Sequence, residues 1–357
     1  MGFASRQKKL VERPEFFQEI ERKVPTSVPL VIFDEIHKYR KWNNYLKGTY
    51  DKFSGQYHFF VLGSGRLNIF QKGGDSLAGR YFQFNLWPLT LAELIGKRLP
   101  FQMFLKDPLQ TVAADMNADM LWEQMSRLSG FPEPYLSGSE SIYRRWSQNY
   151  RQQIIREDIR NLTGIKNLDE VEVLFSLLPG RVGSPLSVAS MARDLQISPT
   201  TAQAWVRTLE SFYMVFLIKP WTKKIARAIT KERKLYLFDY AEIPSPGAKF
   251  ENMVALELLR AVSNWNDLGL GRFDLHYLRN REKEEVDFVI SESQAPVLLV
   301  EAKLSDANLS PTLAKFQNLL KVPAIQLVQG TDTCKVITNG DQKILVTNAT
   351  RWLPSLP

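Results

Sequence analysis

Two sets of acidic residues in this sequence have the types and spacing that phosphate chemistry uses. The first lies in VIFDEIHK, where the apolar run Leu30 to Phe33 ends in Asp34 and Glu35. A carboxylate pair at the end of an apolar strand is costly to bury without a cation. In nucleotide hydrolysis such a pair divides the labour: Asp34 would help hold Mg²⁺, and Glu35 would orient or deprotonate the attacking water. The bland alternative is a strand that ends at the surface, where acids cost little. The next apolar run, VLGSGRLNIF, sets Ser64 among glycines, where a hydroxyl would sense a γ-phosphate. The second set is spread over EVDFVI and VLLVEAK and consists of Asp287, Glu301 and Lys303. Glu301 and Lys303 are two apart on one strand and face the same side. A turn would bring Asp287 beside them on the preceding strand. The two carboxylates would then hold one or two divalent ions, Mg²⁺ or Mn²⁺, and Lys303 would activate water or offset charge at a phosphate. Glu251, on the preceding helical stretch, is a further ligand candidate. The competing reading is an acid–lysine salt bridge across a hairpin.

A third pattern is basic. LSVASMARDLQIS and SPTTAQAWVRTLESF read as two helices joined by a short turn, the second with Ser198 as N-cap and Pro199 in its first turn. Two β-rich runs follow, YMVFLIKP and KLYLFDY, which with a preceding helix, EVEVLFSLLP, compose a winged helix-turn-helix. The second helix would expose Thr200, Thr201, Gln203, Arg207 and Thr208. The hairpin region carries Lys219, Lys223, Lys224, Arg227, Lys231, Arg233 and Lys234 against only Glu232. Such a wing beside a helix-turn-helix is an electrostatic footprint for DNA phosphates, with Arg207, Lys223, Lys224 and Arg227 as the expected contacts. A packing module with a solvated basic loop is the alternative.

These residues need elements to hold them. Residues 1–90 alternate helical and extended segments (PEFFQEIERK, PLVIFDE, the stretch from Trp42 to Phe53, HFFVLGSG, YFQFNLWPL), which suggests a parallel sheet. Residues 91–165 look helical throughout, residues 166–240 carry the winged helix-turn-helix, and residues 241–357 follow a helix-strand-strand-strand-helix-strand order. The 357 residues are 44% hydrophobic, enough for two or three cores. The net charge of +8 suits an anionic partner without defining it. The single cysteine, Cys334, excludes an internal disulfide and favours a cytoplasmic setting. No apolar run is long enough to cross a membrane, and the N-terminal residues lack a signal-peptide core. His37, His58 and His276 have no metal-ligand spacing.

SLAGRYFQFNLWPLTLAEL, taken with the DEI-H-K and GS segments, resembles the bacterial and archaeal AAA+-type ATPases in which the ATPase domain precedes a winged helix and a restriction-endonuclease-like domain. The resemblance runs over essentially the whole chain. It implies that Asp34 and Glu35 form the Walker B segment and that Ser64 lies on the sensor strand. It also implies that Arg80 precedes a tail marked by Pro88, Leu89 and Glu93. Arg80 then reads either as a trans-acting arginine finger, which would imply a homo-oligomer, or as a structural salt-bridge residue. Asp287, Glu301 and Lys303 match the PD-(D/E)xK pattern of the nuclease-like domain. The implied fold class is α/β: an incomplete P-loop AAA+-like parallel sheet with a helical lid, a winged helix-turn-helix and a restriction-endonuclease-like α/β domain. One element departs from the family: no Gly-x-x-x-x-Gly-Lys-Ser/Thr occurs before Asp34, so the amide cradle and the lysine for phosphates are missing. The expectation is that a preceding segment is absent from this chain and that ATP binds where that segment exists. Two functions follow: an ATP-driven protein acting on DNA with a nuclease-like domain, or a non-catalytic DNA-binding or regulatory adaptor retaining both folds.

Overall fold

The computed structural model describes residues 13–20, 27–36, 39, 41–63, 77, 79–165, 167–222, 232–305, 308–330, 333–339 and 342–357. They divide into two compact units, Met1–Gln83 and Phe84–Pro357.

In the first unit, strand β1 (Leu30–Asp34), helix α1 (Trp42–Phe53) and strand β2 (His58–Leu62) form a right-sized crossover, and β1 pairs with β2 in parallel from Leu30 opposite His58 to Asp34 opposite Leu62. The period of two is visible in β1, where Val31 and Phe33 are buried and Leu30 and Ile32 are exposed. The buried side chains join Phe17, Ile36, Trp42, Phe53 and Tyr57 in one core. Phe17 meets the rings of Phe53 and Tyr57 edge-on at 5.3 and 5.0 Å, a favoured aromatic geometry. The helix expected at PEFFQEIERK is a single 3₁₀ turn, Phe16–Glu19, within the described residues. Residues 81–89, expected to be extended, pair with no strand among the described residues.

The second unit is built on an eight-stranded mixed sheet. Among its helices, in chain order, are α2 (Leu91–Ile95), α3 (Phe101–Lys106), α4 (Ala118–Leu128), α5 (Glu140–Gln152), α6 (Leu168–Leu177), α7 (Val188–Asp194), α8 (Pro199–Ser211), α9 (Pro246–Asp267), α10 (Pro311–Leu320) and α11 (Ala349–Trp352), with further helical segments at Pro132–Ser137, Gln153–Ile159 and Arg160–Thr163. Its strands are β3 (Val215–Pro220), β4 (Lys234–Leu237), β5 (Phe273–Arg279), β6 (Glu285–Glu292), β7 (Ala295–Lys303), β8 (Ala324–Val328), β9 (Cys334–Asn339) and β10 (Gln342–Asn348). The sheet order is β4-β3-β5-β6-β7-β8-β10-β9. Strands β9 and β10 go beyond the expected order; in β9, CKVITN, and at both ends of β10, QKILVTN, polar residues interrupt the apolar pattern that marks a strand.

Local signals start the helices where expected. Ser198 Oγ accepts from Thr201 N at 3.0 Å and Pro199 opens α8. Thr90 and Glu93 form a reciprocal capping box on α2. Helix α9 begins after Ser245 with Pro246 and spans 22 residues. Its Asn252, fully buried, pairs both ways with the backbone of Leu237 (Nδ2 to O 2.8 Å, N to Oδ1 2.7 Å). That side chain satisfies backbone groups at the sheet's edge strand, where β4 has no further neighbour among the described strands.

Two boundaries read from the sequence are crossed by the structure. The division at 240/241 is bridged because β3 pairs in parallel with β5, Lys219 opposite His276 and Pro220 opposite Tyr277. The helices of 91–165, expected as a lid on the ATPase core, belong to the same unit as the C-terminal sheet. Val112 N donates to Ser355 Oγ at 2.9 Å, Trp352 Nε1 donates to Pro108 O at 2.8 Å, and Thr350 Oγ1 donates to Asp119 Oδ1 at 2.5 Å. No helix among the described residues is long and apolar enough to cross a membrane.

Candidate functional site

In the first unit, Asp34 closes β1 and is exposed, while Glu35 is half-buried with φ 55°. A positive φ is uncommon for a non-glycine residue, and here the Glu35 N–H is held by the carbonyl of Leu62 at 3.0 Å. The strand end therefore turns sharply where the two carboxylates stand. Arg80 grips Asp51 on α1 through two contacts, Nε to Oδ1 at 2.8 Å and a second at 3.3 Å. The Arg80 guanidinium lowers the Asp51 carboxyl below its ordinary range. Of the two readings of Arg80, the salt bridge is the one formed within this chain. Ser64 lies outside the described residues. The carboxylates are of the right kind for Mg²⁺, but nothing described beside them would hold a triphosphate.

The second set is brought together as the spacing implied. Strands β6 and β7 are antiparallel neighbours, with Phe288 opposite Val300 and Val289 opposite Leu299. Asp287 and Glu301 stand just beyond that register, and Asp287 Oδ2 accepts from Ala302 N at 2.9 Å. Glu301 is 3% exposed, and its Oε1 accepts from Lys303 Nζ at 2.8 Å. Its Oε2 is buried with no hydrogen-bond partner. Glu251 reaches the same region from α9.

What the sequence placed elsewhere is the centre of the cluster. Lys234, counted above among the solvent-facing charges of a basic wing, is 1% exposed. Its Nζ lies 3.0 Å from Glu251 Oε1, 2.5 Å from Glu285 Oε1 and 3.6 Å from Asp287 Oδ1. Two residues along β4, the fully buried Tyr236 donates its hydroxyl to Glu251 Oε1 at 2.7 Å. Arg279 stands 3.6 Å from the other oxygen of Glu285. Gly183, at φ 75°, packs so closely that a Cβ there would sit 2.9 Å from Glu251 Oε2. Lys234 opens the apolar run KLYL, all four residues of which are buried, so it belongs to the strand and not to the basic loop before it; alternation does not single it out, because both faces of β4 are covered.

The electrostatics follow from burial. Burial raises Glu251, and the charge of Asp287 raises it further against the opposing pull of Lys234. Glu301 is raised by the same two causes. Burial alone would push Lys234 down; Glu251, Asp287 and Glu285 outweigh it and hold the ammonium above the ordinary lysine range. Burial likewise works against Lys303, and its bond to Glu301 reverses the sign.

A divalent ion at Glu251, Asp287 and Glu301 was the expectation. Oxygen donors suit Mg²⁺ or Mn²⁺ in kind. In the arrangement present, however, the point on which Glu251 and Asp287 converge is filled by the Lys234 ammonium. Among the described residues no group of three histidine, cysteine, aspartate or glutamate side chains is placed to hold a metal. These residues as arranged do not fit the ion.

On the basic side, α8 buries Ala202, Trp205, Val206 and Leu209 and exposes Thr200, Gln203 and Arg207, while Thr201 and Thr208 are half-buried. Burial raises the Glu210 carboxyl, and the charges of Arg233, Lys219 and Arg207 pull it back. Those three cations therefore all act on one carboxylate. Lys223, Lys224 and Arg227 lie outside the described residues, as does Lys231.

Three family models match the chain: an AAA domain over residues 3–95, a domain of unknown function (DUF8612) over 120–241, and a domain of unknown function (DUF4143) over 246–352. Two uncharacterized proteins, from Mycobacterium bovis and Mycobacterium tuberculosis, are each 24% identical over 253 residues, covering 67% of this chain and 50% of the relative. The chain thus spans about half the length of the curated relatives it matches. No solved structure matches it significantly. The AAA-domain match, with the C-terminal match and the relatives beside it, supports an AAA-type ATPase-like family for this chain.

Proposed function

We propose that this is an AAA-type ATPase-like protein that acts on DNA through its second unit. In this reading α7, α8 and the β3–β4 hairpin form a winged helix, and β5 to β8 with α9 and α10 keep a PD-(D/E)xK nuclease-like frame. Asp34 and Glu35 belong to an ATP–Mg²⁺ site in the first unit. The observation that carries the reading is the exposed face of α8. Arg207 and Gln203 project from a helix whose other face is buried, and exposed Lys219 and half-buried Arg233 act with Arg207 on Glu210 of the same helix. Cations spaced along one face neutralise successive phosphates, and such binding weakens linearly with the logarithm of salt concentration. Because Lys234 fills the acidic cluster, the C-terminal frame serves binding in this reading, and no cleavage step is assigned to it.

The test is fluorescence anisotropy on a labelled duplex across salt concentrations. Arg207→Ala should weaken binding several-fold, uniformly across sequences, and reduce the salt slope by about 1. Identical affinity and slope in the variant would remove α8 from the interface. Mg²⁺- or Mn²⁺-dependent cleavage that disappears with Lys303→Ala would overturn the binding-only assignment of the C-terminal frame.

A further inference from the structure

We propose that the Lys234 ammonium is a tethered cation, standing between Glu251, Glu285 and Asp287 where a divalent metal would stand, so that this acidic cluster works without metal. The inference goes beyond the DNA reading and does not depend on it.

Four observations converge on it. First, the position: Lys234 Nζ contacts three carboxylates contributed by two different elements, Glu251 from α9 and Glu285 and Asp287 from β6. A metal bridges elements in this way, and a surface ion pair does not. Second, the burial: at 1% exposure the ammonium has exchanged its water shell for protein oxygens, a trade that is tolerable only when carboxylates surround it. Third, each of the three carboxylates has a further partner. Tyr236 donates to the same Glu251 oxygen that Lys234 contacts, Arg279 flanks the far oxygen of Glu285, and the Ala302 amide holds Asp287 Oδ2. Metal-binding carboxylates are oriented by partners of this sort; here the same orientation serves an amine. Fourth, the strand edge is built to deliver the lysine. Leu186 N bonds the carbonyl of Arg233, Gly183 N bonds the carbonyl of Leu235, and Pro185 bridges to Lys234 itself. These contacts clamp the backbone on both sides of Lys234. They also bring Gly183, which has no side chain, against the Glu251 carboxylate.

Mn²⁺ binding to the full-length protein, counted by electron paramagnetic resonance of the free ion, tests this without any activity assay. Wild-type protein and Asp287→Asn should hold the same number of Mn²⁺ ions, because other acidic sites, Asp34 and Glu35 included, are common to both. Lys234→Ala opens room for an ion among unpaired carboxylates. It should bind one Mn²⁺ more than wild type, and that extra ion should vanish in Lys234→Ala/Asp287→Asn. Without metal, Lys234→Ala should melt about 10 °C lower, as expected when one partner of a buried ion pair is removed from a unit of this size. Mn²⁺ should restore at least half of that loss while leaving the wild-type melting temperature unchanged. A wild-type protein that holds one Mn²⁺ more than Asp287→Asn would overturn the proposal. So would a Lys234→Ala variant that gains no ion or melts with wild type. If Lys234→Ala does not fold, the wild-type and Asp287→Asn counts decide alone. Loss of DNA binding in the Arg207 experiment would leave every one of these counts unaffected.

Discussion

Trp265→Ala should destabilise the second unit by about 3–5 kcal/mol, the range for emptying a buried tryptophan site. Trp265 on α9 is 2% exposed. Its ring meets Phe101 and Phe104 of α3 at 5.4 Å each and Phe273 of β5 at 5.1 Å. Its indole N–H donates to the carbonyl of Pro357 at 3.3 Å, so one side chain ties together α3, the sheet and the C-terminus. Trp265→Phe should lose less, since it keeps much of the ring packing and forfeits the hydrogen bond. Urea unfolding gives the magnitude, and hydrogen exchange gives the location: amides of Phe101–Lys106 should lose protection first in Trp265→Ala. If α3 kept wild-type protection while stability fell elsewhere, the packing of this helix on α9 would not be what holds it.

Glu257→Gln should stabilise the protein at pH 8 by up to about 3 kcal/mol and change little at pH 5. Glu257 on α9 is 3% exposed and accepts from the Leu91 amide at 2.9 Å, where α2 begins. Burial raises its carboxyl to about 7, against the opposing pull of Arg260 and the Leu91 N–H. The sign follows from linkage. The folded state keeps a proton on Glu257 between an ordinary value near 4.5 and about 7, while the unfolded chain releases it. Its contribution is fully present below the unfolded value, declines as pH rises through this window and levels off above about 7. Glutamine imitates the protonated form and keeps an oxygen for Leu91, so the decline should disappear. Urea midpoints of both proteins from pH 4 to 9 measure this. Parallel profiles would mean that Glu257 ionises in the fold much as it does in the open chain.

The partners of both residues could not be read beforehand, for a shared reason. Trp265 and Glu257 sit within the helical stretch AKFENMVALELLRAVSNW, whose existence is plain from its periodicity. Periodicity ranks faces but does not name partners. Nothing in FQMFLK says that Phe101 and Phe104 pack on Trp265, or that Leu91 N–H will find a carboxylate far along the chain. The same limit explains why 91–165 read as a lid: a helix-rich segment looks alike whether it covers one core or belongs to another.

Local chemistry, by contrast, carried a good deal. Ser198-Pro199 and Ser245-Pro246 mark helix starts because an N-cap acceptor and a preset φ act within one turn. The alternation in VIFD and EVDFVI marks strands because the pleat has a period of two. The spacing of Glu301 and Lys303 put them on one side of one strand, and they form an ion pair at 2.8 Å. The juxtaposition of Asp287 with Glu301 was also legible, since β6 and β7 are joined by a short turn and hydrogen-bond as neighbours.

What the sequence determined by itself was therefore most of the helices, the strands up to β8, the pairing of β6 with β7, and the residue types gathered at their ends. Only the tertiary structure decided the sign and partner of the charge at the centre. Lys234 is one of a run of cations whose counterions the sequence does not specify, and its fate depends on β3 joining β5 and thereby carrying β4 to the rim of the acidic cluster. Non-local pairing of that kind is set by the closure of a long loop and by burial shared over a whole sheet. Neither quantity is a property of any stretch of sequence short enough to be read as a motif.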